Sequence, residues 1–402
     1  MPWDAPAIEK GRLTLPAMLK TKGYATACIG KWHLGFEWPW KGGKKPPVSQ
    51  IGRGTSKATN DMFDWSKPIT GGPLSAGFDH YFGDDVPNFP PFAFIENEHL
   101  TCKPVHINAK SLKSIGKRGY IHGSGPGEEG WTFEKVMPAI TTRAVDYIQQ
   151  HSKKPQPYFL LFSMTSPHTP VVPTKEFQGK SDAGSYGDYV IQTDNAVGQI
   201  VQALKDSGTY DNTLLIVTSD NGPAPMHRDL IKSHKHFPAG HLRGMKWDAW
   251  EGGHRVPFIA SWPKGDINGG RRIDALLSLT DLFATIASVV NVPLIKNSGE
   301  DSLNILLSLR ENKSIRTEMV YHSGGGALGL RQDNWVYLRM GGKKEPAWYK
   351  KELKIEAIDA PNLLFDLSTD EGEKVNLYHK HKERVKAMEA RLSEIEKSEY
   401  SR

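Results

Sequence analysis

In the segment YATACIGKWHLG, residues 24–35, a run of small and apolar residues is followed directly by Lys31 and His33. Residues 24–30 are predicted to form a short strand, and the helical pattern of residues 12–23 precedes it. A helix followed at once by a strand is one step of an α/β fold. Lys31 and His33 come directly after the strand, at the end where open α/β sheets bind their ligands.

Two other apolar runs end in the same way. Residues 158–164 and 214–218 are almost continuously apolar, as expected of strands buried on both faces of a parallel sheet. SPHTP follows the first run at residues 166–170, and SDNGP follows the second at residues 219–223. Because the carboxyl ends of parallel strands share one edge, three such segments in one chain predict one active site.

Helices alternate with these strands over much of the chain. Helical periodicity is clear at residues 132–150 and 186–206, and a helix from Thr280 to about residue 290 follows a further predicted strand at residues 256–260. The alternation favours an α/β fold with a large, mainly parallel sheet flanked by helices. In the helix at 186–206, the residues predicted to face the core are Val190, Val197, Val201 and Leu204.

Two regions depart from this alternation. Residues 36–130 are rich in Gly, Pro, Trp and Phe, and we predict a loop-rich insertion there over the active face. From about residue 316, the pattern predicts a smaller C-terminal α+β subdomain with an antiparallel sheet. Its strands are predicted at 319–322, 334–338 and 363–367, and its closing helix carries Val385, Met388, Leu392 and Ile395. The predicted domains are therefore residues 1–315 and 316–402.

The composition is that of a globular protein. Of the 402 residues 38% are hydrophobic, and no run approaches the ~20 apolar residues that span a bilayer. The first residues have neither the basic nor the apolar region of a signal peptide.

The net charge of +6 is spread among interleaved acidic residues, which favours a solvated basic surface over nucleic-acid binding. Cys28 and Cys102 permit at most one disulfide.

Lys31 and His33 carry the first candidate chemistry. In extended geometry, residues two apart point to one side of a strand. A lysine offers a fixed charge and three donors, and a histidine also moves a proton near neutral pH, so the pair suits an oxyanion with a leaving group. The alternative is a turn with a solvent-facing Lys31 and a His33 that packs on Trp32.

His168 and the Asp220-Asn221 pair follow the other two strands. Pro167 and Pro170 stiffen the loop and fix the direction of His168, although a lone loop histidine is often without function. Adjacent carboxylate and amide oxygens suit a hard cation such as Ca²⁺ or Mg²⁺. The alternative for Asp220-Asn221 is an ordinary Asx turn.

A fourth segment, RGMK at residues 243–246, continues to EGGHRVP at residues 251–257 and adds another cation, Lys246. The histidine-rich loop before it, residues 226–241, is interpreted as substrate-facing. We take His241 and Arg243 as candidate substrate-binding residues.

As a set, these segments resemble the sulfatases of the alkaline phosphatase superfamily. Residues 23–35 resemble the second sulfatase signature, and the PHTP, SDNG and RGxK…EGGxRVP segments match the family in order and type. The ending LFDL, with Asp370, Glu373 and Asn376, is also similar. The resemblance spans nearly the whole chain except residues 36–130, and it implies an alkaline phosphatase-like fold.

The resemblance implies a role for each matching residue. Lys31 would contact the sulfate, and His33 would assist the elimination of sulfate from a covalent intermediate. His168 and Lys246 would hold the sulfate and protonate the leaving oxygen. Cations at these positions would neutralise the charge that develops on the transferred group.

The resemblance also implies cofactors. Asp220 and Asn221 would supply part of a Ca²⁺ site, with Mg²⁺ as the alternative ion. The family's nucleophile is a formylglycine made from a Cys-x-Pro-x-Arg motif, which follows an Asp-Asp pair and precedes the second signature. Here Cys102 lacks the arginine of the motif, and both it and Asp84-Asp85 follow the signature. We therefore expect an N-terminally incomplete chain with little turnover by itself.

Three functions remain open. The leading prediction is a sulfuric ester hydrolase that acts on an aryl sulfate or a sulfated polysaccharide. The second is a phosphoester or phosphonate hydrolase of the same superfamily, and the third is a non-catalytic protein that binds sulfated glycans. The family resemblance implies a periplasmic or secreted location, and nothing in the sequence indicates an oligomeric state.

Overall fold

The computed structural model describes residues 3–112, 121–295, 298–341, 360–398 and 400. The chain forms two units, Met1–Tyr210 and Asp211–Arg402. This division lies at a different place from the predicted domain boundary near residue 315, which stays a prediction.

A five-stranded sheet lies at the centre of the first unit. The strands of this unit are β1 (Ala25–Gly30), β2 (His80–Gly83), β3 (Ile95–Glu96), β4 (His99–Leu100), β5 (Val105–Ile107), β6 (Gly125–Gly127) and β7 (Tyr158–Ser163). The central sheet has the order β4-β3-β2-β1-β7, and β5 pairs with β6 separately. Strands β2, β1 and β7 run parallel, whereas β3 and β4 add antiparallel pairings. The predicted α/β fold is confirmed, with a mixed central sheet.

Helices flank this sheet as predicted. They are α1 (Leu15–Lys20), α2 (Val48–Ile51), α3 (Val136–His151) and α4 (Gly184–Asp206). Thr14 caps α1, because its hydroxyl accepts a hydrogen bond from the Ala17 amide.

The buried face of α4 is the predicted one only in part. Leu204 is buried as predicted, whereas Val190 is 40% exposed and the other buried residues of this face are Ala196, Ile200 and Ala203. Helix α4 packs against α3. The small alanine side chains permit a close approach between two helices, so the helix buries that face instead of its valines.

The segment 36–130 contains more structure than the predicted loops. Besides β2 to β6, it forms an aromatic core around Trp3, which is fully buried. The Trp3 ring lies 5.0 Å from Trp38, 5.8 Å from Trp40 and 4.8 Å from Phe63, measured between ring centroids. Burial of several large aromatic rings stabilises a segment that lacks long periodic elements.

The second unit carries two sheets. Its strands are β8 (Leu215–Thr218), β9 (Phe258–Ser261), β10 (Glu318–His322), β11 (Leu328–Gln332), β12 (Trp335–Arg339) and β13 (Leu363–Asp366). Strands β10 to β13 form the predicted antiparallel sheet in sequence order. The prediction of a parallel sheet is wrong for β8 and β9, which in the described part of the chain form a separate two-stranded antiparallel sheet. The helices are α5 (Asp229–His234), α6 (Glu251–His254), α7 (Asp281–Val289), α8 (Leu306–Glu311) and α9 (Lys382–Ser398).

The closing helix α9 covers the antiparallel sheet as predicted. Met388, Leu392 and Ile395 are buried in one cluster with Leu330 and Leu364 of the sheet. Within the described residues, every helix is too short or too polar to cross a lipid bilayer.

Strand β7 is less buried than its apolar sequence predicts. It pairs with β1 on one side and is the last strand of its sheet in the described part of the chain. Leu161 is 42% exposed. An apolar strand at a sheet edge is a template for pairing with other chains.

We therefore expect Leu161→Lys to reduce concentration-dependent aggregation, because a charged side chain opposes edge pairing. Light scattering over a concentration series would measure this. Val190→Lys is the matched control, since Val190 has similar exposure but lies on a helix. An equal reduction in both variants would contradict a role for the β7 edge.

Candidate functional site

Three parallel strands of the first unit end at one edge, and a candidate site segment follows each. Gly30 at the end of β1 pairs with Ser163 at the end of β7, and Ile29 pairs with Phe82 of β2. The Lys31 amide continues this ladder by donating to the Ser163 carbonyl at 2.8 Å. Lys31, His33 and the loop with His168 thus follow neighbouring strands, as predicted.

The backbone at Lys31–His33 is held from the β2 side. The Trp32 amide donates to the Asp84 carbonyl at 3.0 Å, and the His33 amide donates to the Asp85 carbonyl at 3.0 Å. His33 has φ of +53° and is exposed. The expectation of extended geometry is therefore wrong at His33, where the chain turns into a left-handed conformation.

His168 is oriented by its own loop. Its Nδ1 donates to the Thr169 carbonyl at 2.7 Å, which leaves Nε2 as the acceptor nitrogen of the neutral ring. The loop is tied to α4, because the Thr193 hydroxyl donates to the Ser166 hydroxyl at 2.7 Å. The half-buried His168 is therefore fixed in direction rather than freely mobile.

Two carboxyl groups at this edge were not among the predicted site residues. Asp84 and Asp85 follow β2 directly, with exposures of 2% and 5%. Both oxygens of Asp84 and one oxygen of Asp85 lack a hydrogen-bond partner within the described residues. Burial raises the pKa of Asp84 to about 7, against the opposing effect of the Lys31 ammonium, and burial also raises the pKa of Asp85 to about 7.

A signal for these residues is present in the sequence. The aromatic run before Gly83 is followed at once by acidic residues, and the segments after β1 and β7 show the same order of an apolar run and then polar side chains. The run lies inside residues 36–130, where the Gly- and Pro-rich composition obscured a strand of four residues.

In the second unit, the Asp220-Asn221 loop presents oxygen atoms. The Asn221 Nδ2 donates to the Gly222 carbonyl at 2.9 Å, so the amide oxygen points elsewhere. The Asp220 side chain is exposed. Together they offer two kinds of oxygen ligand for Ca²⁺, which takes about 6–8. Among the described residues, no group of three His, Cys, Asp or Glu side chains could hold a metal ion.

The Lys246 segment is joined to this loop by its main chain. The Lys246 amide donates to the Pro223 carbonyl at 2.9 Å, and the Gly222 amide donates to the Gly253 carbonyl at 3.0 Å. The two candidate segments of this unit, residues 219–223 and 243–257, are thus neighbours. Lys246 itself is half-buried.

Arg243 and His241 differ sharply in environment. Arg243 is 1% exposed, stacks 4.6 Å from the Trp250 ring and donates to the Glu373 carbonyl at 2.6 Å. Such burial favours a structural role over substrate contact. His241 is exposed, and its Nε2 lies 2.8 Å from a carboxylate oxygen of Glu371.

Both cysteines are free thiols. Cys28 is fully buried in β1, and burial raises its pKa to about 12. Burial also raises the pKa of Cys102. Neither stands in a Cys-x-Pro-x-Arg motif, so neither fits a formylglycine.

The buried acids predict an unusual dependence of stability on pH. A carboxyl with a pKa near 7 when folded and about 4 when unfolded keeps its proton longer in the folded state, so stability falls as pH rises from about 4 to 7. We expect the stability of the double variant Asp84→Asn, Asp85→Asn, relative to that of the unmodified protein, to increase as pH rises from about 4.5 to 8, by on the order of a few kcal/mol. Urea unfolding of both proteins at the two pH values measures this difference in the free energy of unfolding.

Asp79, just before β2, provides the control. Against the effect of partial burial, hydrogen bonds from Lys20 and Thr26 lower the pKa of Asp79. Asp79→Asn should therefore lose stability relative to the unmodified protein as pH rises through the acidic range. The same direction in both variants would refute the assignment of raised pKa values to the acids after β2.

Comparison with known proteins identifies the family. A family model described as Sulfatase matches residues 3–292. An N-acetylgalactosamine-6-O-sulfatase of Bacteroides thetaiotaomicron is 30% identical over 420 residues, which cover 96% of this chain and 78% of the relative. The human N-acetylgalactosamine-6-sulfatase is 28% identical over 313 residues. That match covers 77% of this chain, which spans only about half, 51%, of the human protein.

Solved structures agree with this assignment. A structure from work on the metabolism of multiple glycosaminoglycans by Bacteroides thetaiotaomicron superposes with a TM-score of 0.77 at 26% identity, covering 98% of this chain and 84% of the other. A sulfatase from a Pseudoalteromonas species has a TM-score of 0.67 at 21% identity, with 99% and 76% coverage, and supports the fold alone. The alkaline phosphatase-like α/β fold is therefore confirmed, and the chain belongs to the sulfatase family of sulfuric ester hydrolases.

Proposed function

We propose that this protein acts on the sulfate ester of a sulfated carbohydrate, as a sulfuric ester hydrolase. The observation that carries the proposal is the arrangement of Lys31, His33 and His168 after neighbouring parallel strands of a chain that matches the sulfatase family. The name of the bacterial relative supports a 6-sulfated N-acetylgalactosamine as the substrate class. By the same family membership, we propose a periplasmic or secreted location.

In the first unit, each side chain has a role that its chemistry supports. The Lys31 ammonium binds a sulfate oxygen, because its charge and three donors suit an oxyanion. His168 donates to the ester or leaving oxygen from Nε2 when protonated, since its Nδ1 already donates to Thr169. The exposed His33 moves a proton at the same edge.

In the second unit, Lys246 supplies a further cation, and Asp220 and Asn221 would hold a Ca²⁺ or Mg²⁺ ion, whose chemistry there would be to neutralise negative charge on an anionic ligand. These two side chains supply only part of the roughly six to eight oxygens that Ca²⁺ needs. His241 remains a candidate for substrate contact because its ring is exposed.

The nucleophile is not assigned to either cysteine. Cys28 is buried with a protonated thiol, and Cys102 lacks the motif arginine. The proposed roles are binding of the anion, charge neutralisation and proton transfer, and none of them requires a formylglycine.

The test compares three sugars that differ in one group. N-acetylgalactosamine-6-sulfate, its 6-phosphate analogue and the unmodified sugar are each titrated calorimetrically, and release of sulfate or phosphate is measured by ion chromatography. Preferential binding of the sulfated sugar with sulfate release supports the proposal. Preference for the phosphate would indicate a phosphoester hydrolase, and binding without release would indicate a glycan-binding protein.

Lys31→Ala should weaken binding of the sulfated sugar about 10- to 100-fold, because a hydrogen bond to a charged group contributes ~1.5–3 kcal/mol. The unmodified sugar should bind both forms equally. Lys22→Ala, an exposed lysine in the turn after α1, is the matched control and should change neither affinity. Equal losses in the two lysine variants would contradict the role of Lys31.

Calcium should raise the thermal unfolding midpoint, since a ligand at about 100 times its Kd stabilises the folded state by about 2.7 kcal/mol. Asp220→Ala should abolish this increase and Asn221→Ala should reduce it. Asp211→Ala, which removes an exposed acid before β8, should leave it intact. A full calcium response in Asp220→Ala would rule out the proposed ligand.

A further inference from the structure

Trp247, which follows Lys246 directly, combines two unusual features. Among the described residues it is the most exposed large apolar side chain, at 63%. Its φ of +78° lies in the left-handed region, which a bulky residue rarely adopts. Exposure of a large apolar ring and a left-handed backbone are both unfavourable to folding. Residues held in such conformations concentrate at ligand-binding sites, so Trp247 is a candidate for contact with a ligand.

The main chain on both sides of Trp247 is fixed by hydrogen bonds. The Lys246 amide before it donates to the Pro223 carbonyl at 2.9 Å. The Asp248 amide after it donates to the Met245 carbonyl at 2.9 Å, and the Met245 amide donates to an Asp248 carboxylate oxygen at 2.8 Å. A closed turn therefore maintains the left-handed conformation, and the indole ring is attached to a constrained backbone.

A glycine-rich turn between β10 and β11 lies against one part of the Trp247 side chain. The Gly324 amide donates to the Trp247 carbonyl at 2.9 Å. A Cβ atom at Gly324 would lie 3.0 Å from Cδ1 of the indole ring, whereas one at Gly325 would lie 3.6 Å from the Ser323 hydroxyl, an ordinary contact. The Gly324 backbone thus supports the ring near Cδ1, and the exposed remainder of the ring is open to a ligand.

The exposed ring lies beside a cation that we assign to the sulfate group. The Lys246 ammonium is 5.9 Å from the Trp247 ring centroid. A sulfate oxygen that accepts a hydrogen bond from this ammonium lies ~2.9 Å from it, so the group esterified to the sulfate comes within reach of the indole ring.

A pyranose ring suits an exposed indole better than it suits a buried aromatic pocket. The C–H groups on one face of the sugar pack on the electron-rich face of the aromatic ring. The hydroxyl groups lie at the rim of the sugar and need hydrogen-bond partners, which water supplies at an exposed site but not in an apolar pocket. The exposure of Trp247 meets both requirements.

We propose that Trp247 binds the sugar of the sulfated substrate, by stacking its indole ring on the apolar face of the pyranose whose sulfate is bound by Lys246. The inference rests on the proposed function of Lys246 as a cation for sulfate. Trp247 takes no part in proton transfer or in cleavage of the ester bond. Discrimination between a sulfated sugar and a simple alkyl sulfate of the same charge depends on this ring.

Calorimetric titration of the full chain with three sulfates tests the inference. N-acetylgalactosamine-6-sulfate carries the anion and a pyranose, methyl sulfate carries the anion without a ring, and phenyl sulfate carries an aromatic ring instead of the sugar. We expect Trp247→Ala to weaken binding of the sulfated sugar about five- to thirtyfold and that of methyl sulfate by less than about twofold. Trp247→Phe keeps an aromatic face and should retain most of the affinity. Lys246→Ala should weaken binding of all three sulfates.

Two neighbouring glycines provide a matched pair of variants. Neither Gly324 nor Gly325 has a positive φ, so the backbone at both accepts alanine. Gly324→Ala displaces the indole ring and should weaken binding of the sulfated sugar, by a smaller factor than Trp247→Ala, whereas Gly325→Ala should leave it unchanged. Tyr400→Ala removes another exposed aromatic ring of the second unit and should also leave it unchanged.

Several results would overturn the inference. An equal loss for methyl sulfate and the sulfated sugar in Trp247→Ala would mean an effect on the anion site or on folding, and an unchanged affinity for the sugar would mean no contact. A loss confined to phenyl sulfate would mean that the ring binds aryl groups. Full affinity in Lys246→Ala would reject the inference together with the role of that lysine.

Folding and the proposed reaction are separated by two further measurements. If Trp247→Ala does not give a cooperative thermal transition, Trp247→Gly replaces it, because glycine suits the left-handed backbone. Sugar binding that depends on Trp247 without release of sulfate would reject the hydrolase and leave the sugar contact standing. Release of sulfate without dependence on Trp247 would reject the sugar contact alone, and no binding of any of the three sulfates would reject both.

Discussion

The close approach of strand ends at Gly30 is the constraint on which the first unit's site depends. A Cβ atom at Gly30 would lie 1.9 Å from the Ser163 carbonyl oxygen, and one at Gly83 would lie 1.8 Å from the Gly30 carbonyl oxygen. Only glycine permits backbones this near. Because β2, β1 and β7 are this tightly joined, Lys31 leaves the sheet with its amide still bonded to β7. The candidate cation is thus attached to a rigid sheet edge rather than to a free loop.

In the second unit, the close approach of main chains occurs between two loops rather than between strands. A Cβ atom at Gly222 would lie 1.9 Å from the Gly252 carbonyl oxygen, so the two loops again meet through glycine. Glu373 stabilises these loops through two hydrogen bonds. Its buried carboxyl group accepts one from the Glu251 amide at 2.7 Å, and its main-chain carbonyl accepts one from the Arg243 side chain. Burial and the neighbouring Glu251 raise the pKa of Glu373 well above its usual range. Arg243, which stays a predicted substrate contact, is buried, and its side chain connects the Lys246 loop to the Glu373 carbonyl.

Periodic and apolar segments could be predicted from the sequence, whereas contacts set by distant residues could not. Strands β1, β7 and β8 and helix α3 follow from local patterns, and so do the polar segments that come after the strands. Strand β2 is too short for its pattern to rise above the Gly- and Pro-rich composition around it, and Asp84 was missed with it. The face of α4 depends on the closeness of α3, and the turn at His33 depends on the Asp85 carbonyl. Neither partner is close in sequence to the residue it controls.

The acids after β2 show how stability and function compete at this edge. Within the described residues, both oxygens of Asp84 and one of Asp85 lack a hydrogen-bond partner, so neutral side chains of similar size would lower the cost of burying them. Lys31 is half-buried at the same edge, and its ammonium is a nearby charge that favours the ionised form of Asp84, although burial still raises the pKa of this carboxyl. Binding sites commonly contain groups whose burial is unfavourable to stability, because the group that will bind the ligand must already be oriented before the ligand arrives.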